Sequence, residues 1–326
     1  MRFAGALLGI LLAHAVAQGQ KPMDESAPAL SPIASLGLSS EKVSHLDHAV
    51  AEHDYVAAEK LLLDELAMDA HSARSARLLA YAGSIYFLNR DYLNAAIAWK
   101  KSDAIAPLDV NLRFSLAMAY VGMGHVDWAR TQLRKLAAQN PKEAIYPYWL
   151  GRLEYDAQNY NTAIDHFKLA VQLAPEMMRS YDKLGLCYFY LNQNDVAMAN
   201  YEKAIELDRK SPNPSAWPYL DAAVTLQFMG RLPEAEADLH EALKIDPEFA
   251  TAHFRLGSVL EEGDRPEAAV RELLEAARLD EHYAEPHMAL ARVYKKLGRK
   301  DDADQEVKLY LQLHNEAKTP AAATLP

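Results

Sequence analysis

The densest run of ligand-type side chains is HLDHAVAEHD, residues 45–54. His45 and His48 are three apart and would share a helical face. With His53 and a carboxylate from Asp47, Glu52 or Asp54 they have the donor types that hold zinc or copper. Histidines mixed with acids also make an ordinary solvated helix face, so metal binding stands as an alternative reading, and no motif calls for a metal or other cofactor. His240-Glu241 is followed by Ala-Leu-Lys and lacks the second histidine of a zincin helix. No phosphate-binding loop, nucleophile elbow or dinucleotide turn occurs, so an enzyme is not expected. The single cysteine, Cys187, allows neither an internal disulfide nor a thiolate cluster. It reads as a small buried hydrophobe.

The elements that carry these residues are set by composition and pattern. Of 326 residues, 50% are hydrophobic, and the net charge is −11. An acidic chain without a basic stripe is not expected to bind nucleic acid or anionic membrane. At the amino end, Arg2 precedes a short apolar run to Ala13, and Ala15-Val16-Ala17 forms an A-x-A site. Residues 1–17 are expected to be a signal peptide, leaving Gln18 as the new terminus. The run is too short to span a bilayer, so no membrane insertion is expected after cleavage. The chain is then exported, periplasmic or secreted. Residues 18–38, with three prolines, read as a flexible linker, and residues 318–326 as a disordered tail.

Between them runs a repeat. Gly83, Ala117, Gly151 and Gly185 fall 34 residues apart, and so do Ala223, Gly257 and Ala291. Twelve residues after each small residue stands an alanine, from Ala95 to Ala303, usually followed four later by a bulky residue such as Trp99, Phe167 or Tyr201. Pro107, Pro141, Pro175 and Pro247 close units. This phasing resembles the tetratricopeptide repeat over residues 39–317, with units beginning near 39, 76, 110, 144, 178, 216, 250 and 284. The resemblance implies an all-α fold, an α-solenoid of about eight helix pairs wound as a right-handed superhelix, with stacking of neighbours supplying the core. The fifth unit is followed by extra residues, 212–215, expected to bend or loosen the stack.

In YDKLGLCYFY, residues 181–190, Tyr181, Leu184, Gly185 and Tyr188 share the face expected to pack on the second helix. A helical glycine costs about 1 kcal/mol against alanine. Gly185 therefore implies a close approach of the two helices. Phe189 and Tyr190 point to the other side. In tetratricopeptide proteins, the second, fifth, ninth, twelfth and thirteenth positions of each unit line a groove for ligands. Carried over, these positions give Phe87, Phe114, Tyr148, Arg152, Tyr155, Arg179, Phe189, Tyr190, Trp217 and Phe228, a set rich in the residue types that dominate binding hot spots. The expected function is an extracytoplasmic scaffold or adaptor that binds a protein or peptide segment in that groove. The family's carboxylate clamp, lysine at position five with asparagine at nine, is absent: Val43/Asp47, Ala80/Ser84 and Phe114/Met118 do not match. His253 and His287 share position four, where packing is expected. The last helix, near residues 302–315, carries Val307, Leu309, Tyr310, Leu311 and Leu313 on more than one face, and offers a contact for a homo-oligomer.

Overall fold

Ser39, Ser72, Asp91 and Asp109 each accept a hydrogen bond from the amide three residues on, and each starts a helix there. The computed structural model describes Pro28, Leu30 and residues 32–68 and 72–318. The expected signal peptide lies outside these residues, as does the tail beyond 318. Among the described residues there are sixteen α-helices, one 3-10 turn and no strand. The chain divides between Asn159 and Tyr160 into two compact units.

The first unit opens with the turn Ile33–Leu36. Then follow α1 (Ser40–Ala51), α2 (Tyr55–Met68), α3 (Ala73–Leu88), α4 (Tyr92–Ile105), α5 (Val110–Gly122), α6 (Val126–Gln139) and α7 (Ile145–Asp156). Consecutive helices pack on one another, and α3 also touches α5, so first helices of successive pairs form one side of the stack. Trp99 of α4 is fully buried, and its indole N–H donates to Ala80 O at 3.0 Å. A Cβ on Gly83 would stand 2.6 Å from that indole, which is why α3 has a glycine there.

The second unit holds α8 (Tyr160–Leu173), α9 (Met178–Tyr190), α10 (Asn194–Asp208), α11 (Trp217–Phe228), α12 (Leu232–Ile245), α13 (Ala250–Glu262), α14 (Pro266–Leu279), α15 (Ala284–Lys296) and α16 (Lys300–Lys318). Here too α9, α11, α13 and α15 touch in series. The face carrying Gly185 packs as expected: Leu184 and Gly185 are buried, and the Tyr201 ring of α10 fills the space a Cβ on Gly185 would need. Cys187 is fully buried, and burial pushes its thiol up to about 12.

The turns show a periodicity that residue type hides. The turns after α1, α3, α5, α7, α9, α11, α13 and α15 contain one left-handed residue each: His53, Arg90, Gly124, Gln158, Asn192, Gly230, Asp264 and Gly298. After α9, Asn192 N–H donates to Phe189 O and Gln193 N–H to Tyr188 O, both at 2.9 Å, which closes the helix end in the manner of a Schellman motif.

Two expectations need correction. Residues 33–36 are not part of a loose linker: they form a turn that rests on α1 and α3, with Leu36 buried and Arg77 Nε donating to Ser35 O at 2.8 Å. The residues at 212–215 do not open the stack either. Asp208 accepts the Ser215 amide at 2.7 Å, and α10 packs directly on α11.

Candidate functional site

The surface built by the first helices of successive pairs carries the candidate residues, and each unit arranges them differently. In the first unit Phe87 and Tyr148 are buried. Phe87 packs against Tyr92 and Trp99, with ring centroids 5.3 and 5.8 Å away, so it belongs to the core rather than to a free surface. Phe114 and Tyr155 are half-buried, and Phe114 tilts against Tyr146 at 5.9 Å. The Arg152 guanidinium lies over Trp149 at 5.5 Å, and its Nε has no acceptor. Burial presses its pKa down, but Tyr148 and Asp156 outweigh this and hold it above the ordinary arginine value.

Buried carboxylates in this unit are matched to cations. Glu65 of α2, 3% exposed, accepts from Lys42 and Arg74. The hydrogen bond from Lys42, then that from Arg74, holds its carboxyl below the usual range. Asp103 takes Arg113 Nη2 at 2.8 Å and the Leu108 amide at 2.9 Å. Burial raises it, and these two partners outweigh burial. Glu154 takes Arg130 Nε at 3.0 Å.

In the second unit Phe189 is buried, contrary to its expected place on an open wall: its ring meets Tyr190 at 5.8 Å and Phe228 at 5.7 Å, edge to face. Phe228 is 49% exposed. Arg179, Tyr190 and Trp217 are half-buried. Tyr190 stacks on Tyr160 at 4.7 Å, and Trp217 meets Phe249 at 4.8 Å. Phe87, Tyr148 and Phe189, expected on an open wall, are therefore core rings.

Position six holds buried charges that the groove positions do not include. Lys183, Asp221 and Arg255 are the sixth residues of the units beginning at 178, 216 and 250, and all three are buried. Their signal was available: a charge at the same position in the first helices of three successive pairs. Lys183 Nζ donates to Asp182 at 3.2 Å. Burial pushes the Asp182 carboxyl up to about 7, with the nearby Asp221 charge adding to it against the pull of Lys183. Tyr201, between these helices, is raised by burial and then by the two acids. Towards the end of this unit, the two position-four histidines pack as expected and also bond: His253 Nδ1 meets Glu272 at 2.8 Å, and His287 Nδ1 meets Glu306 at 2.6 Å.

His45 and His48 are exposed on α1, and His53 Nδ1 lies 2.9 Å from the Tyr55 hydroxyl instead. Among the described residues no three His, Cys, Asp or Glu side chains converge as a metal site would require. No described helix is long and apolar enough to cross a membrane. On α16, Leu311 is 49% exposed and Leu313 half-buried.

Models of the tetratricopeptide repeat match residues 114–177, 179–211 and 220–284. The chain is a tetratricopeptide repeat protein. Two relatives from Dictyostelium discoideum are similar to it. A DnaJ homolog subfamily C member 7 homolog is 26% identical over 154 residues, 44% of this chain and 28% of the relative. A STIP1 homolog is 33% identical over 97 residues, 30% of this chain and 16% of the relative. The chain thus spans less than a third of the length of either relative. A solved tetratricopeptide repeat protein from Parabacteroides merdae superposes with a TM-score of 0.63 at 17% identity, over 78% of this chain and 97% of that one. That likeness concerns the fold. Tetratricopeptide repeats serve as protein–protein interaction scaffolds and are generally not enzymes.

Proposed function

We propose that this tetratricopeptide repeat protein is exported and works outside the cytoplasm as an adaptor, holding an extended or helical segment of a partner protein against the first-helix face of its pairs. The observation that carries the docking reading is Phe228, an aromatic ring 49% exposed, with Tyr190 and Trp217 half-buried on the same unit's face. Large apolar rings left in water on a built surface favour a partner that covers them. Export rests on Arg2, the apolar run to Ala13 and the A-x-A site.

Partner capture from an envelope extract tests the docking reading. Phe228→Ala, and Tyr190→Ala with Trp217→Ala, should weaken capture while the melting temperature stays near that of the parent. A large loss of melting temperature with unchanged capture would assign these rings to the core alone. For export, the full chain is expressed and fractionated, and the recovered protein is sequenced from its amino end. A start at Gln18 in the exported fraction is the expected result; an intact Met1 in the cytoplasm defeats it.

A further inference from the structure

Arg255 of α13 is 8% exposed, its Nε is buried without an acceptor, and it makes no hydrogen bond or ion pair among the described residues. Neighbouring arginines that reach solvent are nevertheless paired: Arg292 Nη2 holds Glu261 at 2.6 Å, and Arg265 Nη2 holds Glu236 at 2.5 Å. A buried, unpaired cation is the costliest state for a charge, so an anionic group is missing at this place. We propose that Arg255 is the floor of a binding site for a single carboxylate, an aspartate or glutamate side chain within the partner segment, flanked there by an apolar residue. This rests on the docking face proposed above and adds the chemistry it selects.

The surroundings define the ligand. The guanidinium lies 5.5 Å from the Phe254 ring, and Phe254 meets Tyr283 edge to face at 5.3 Å. The charged and phenolic groups that face Arg255 are Tyr283 and Glu285, by and on α15, Asp221 on α11 and Tyr190 on α9. Burial presses the guanidinium below the ordinary arginine value, and the groups facing it pull the other way. Lys183 is engaged by Asp182 at 3.2 Å, so the buried Asp221 and the half-exposed Glu285 are the acids opposing an incoming anion. Two added negative charges would be repelled by Asp221 and Glu285; one carboxylate, forked onto the guanidinium, supplies the missing acceptor. A clamp for an acidic carboxyl terminus would instead need further cations beside Arg255, and the groups facing it are acids and phenols.

The test uses the full chain and three peptides, Ac-Phe-Glu-Phe-NH2, Ac-Phe-Gln-Phe-NH2 and Ac-Phe-Gln-Phe-OH, followed through the Arg255 Nε–Hε resonance. That resonance is assigned by its loss in Arg255→Lys. The glutamate peptide should shift it saturably and bind at least tenfold tighter than the glutamine amide. Glu285→Gln, at a half-exposed position that threatens folding little, should tighten the glutamate peptide several-fold. No shift, or an equal response to the glutamine amide, overturns the site. Preference for the free terminal carboxylate overturns the side-chain assignment. Partner capture that needs Phe228 but is indifferent to Arg255→Lys would also overturn this site, while leaving the docking face standing.

Discussion

The two units are built from the same helix pair, and they differ in how their shielded carboxylates are held. In the first, Glu65, Asp103 and Glu154 each meet a lysine or arginine, and Glu65 and Asp103 are held below the ordinary carboxylate range. In the second, Asp182 and Asp238 are raised, and the Arg255 Nε has no acceptor among the described residues. A stack that keeps a cation unsatisfied keeps a place where a ligand can gain free energy. Arg255, at position six of its unit, is where that gain is proposed.

The sharpest way to break this comparison is to damage one unit and watch the other. Trp99→Ala removes the fully buried indole that fits Gly83. It should cost about 3–5 kcal/mol. In a solenoid, stability is close to a sum over neighbours. Amide exchange should therefore accelerate in α3 and α4 and stay slow in α11 to α15. Equal acceleration in both units would show a single cooperative block. In the second unit, Gly185→Ala forces a methyl into the Tyr201 ring. The expected cost is about 1–3 kcal/mol in chemical unfolding, since overpacking displaces the neighbour. Combining it with Tyr201→Leu should recover part of that loss; no recovery would mean that the strain lies elsewhere.

Mild acid should separate the units without mutation. The Asp182 carboxyl rises from an ordinary 3.8 to about 7 on folding, so its ionisation costs stability as pH climbs from about 4 through 7. The His253 pair with Glu272 acts in the same direction: its folded pKa is raised, so its stabilisation is whole below 6.5 and is lost as pH rises through the folded value. Glu65 and Asp103 are lowered, so what they contribute is present above their ordinary values of 4.5 and 3.8 and is lost only below them. Amide protection in α9 to α14 should therefore be greater at pH 5.5 than at pH 8, while protection in α2 to α5 changes little. Asp182→Asn should abolish most of the difference. A first unit that responds as strongly would remove the contrast in charge.

The smallest effect concerns the turns. Asn192→Gly relieves a left-handed conformation at φ 58. It should change stability by less than about 1 kcal/mol, because asparagine already tolerates this region. Gln158→Gly should gain more than Asn192→Gly, and the difference can be read from thermal melts.

Periodicity carried the resemblance to the tetratricopeptide repeat, and that resemblance implied the architecture. Small residues recur every 34 positions on either side of one 38-residue interval, with bulky partners sixteen later, and the helix pairs that the resemblance implied bring Gly83 to Trp99 and Gly185 to Tyr201. The starts near 110, 144, 178, 250 and 284 fall within a residue of the helices observed there. The left-handed turn was invisible because histidine, arginine, glutamine, asparagine, aspartate and glycine all occupy it, each held by the hydrogen bonds of the helix end. What only the tertiary structure decided is which side chains on the first-helix face remain in reach. Phe87, Tyr148 and Phe189 share their unit positions with partly exposed residues, and their burial depends on neighbours supplied by other helices. At position six the charges were legible in sequence, but their pairing was not. Whether a lysine, an aspartate and an arginine neutralise one another, or leave one cation bare, depends on distances between helices that no single helix encodes.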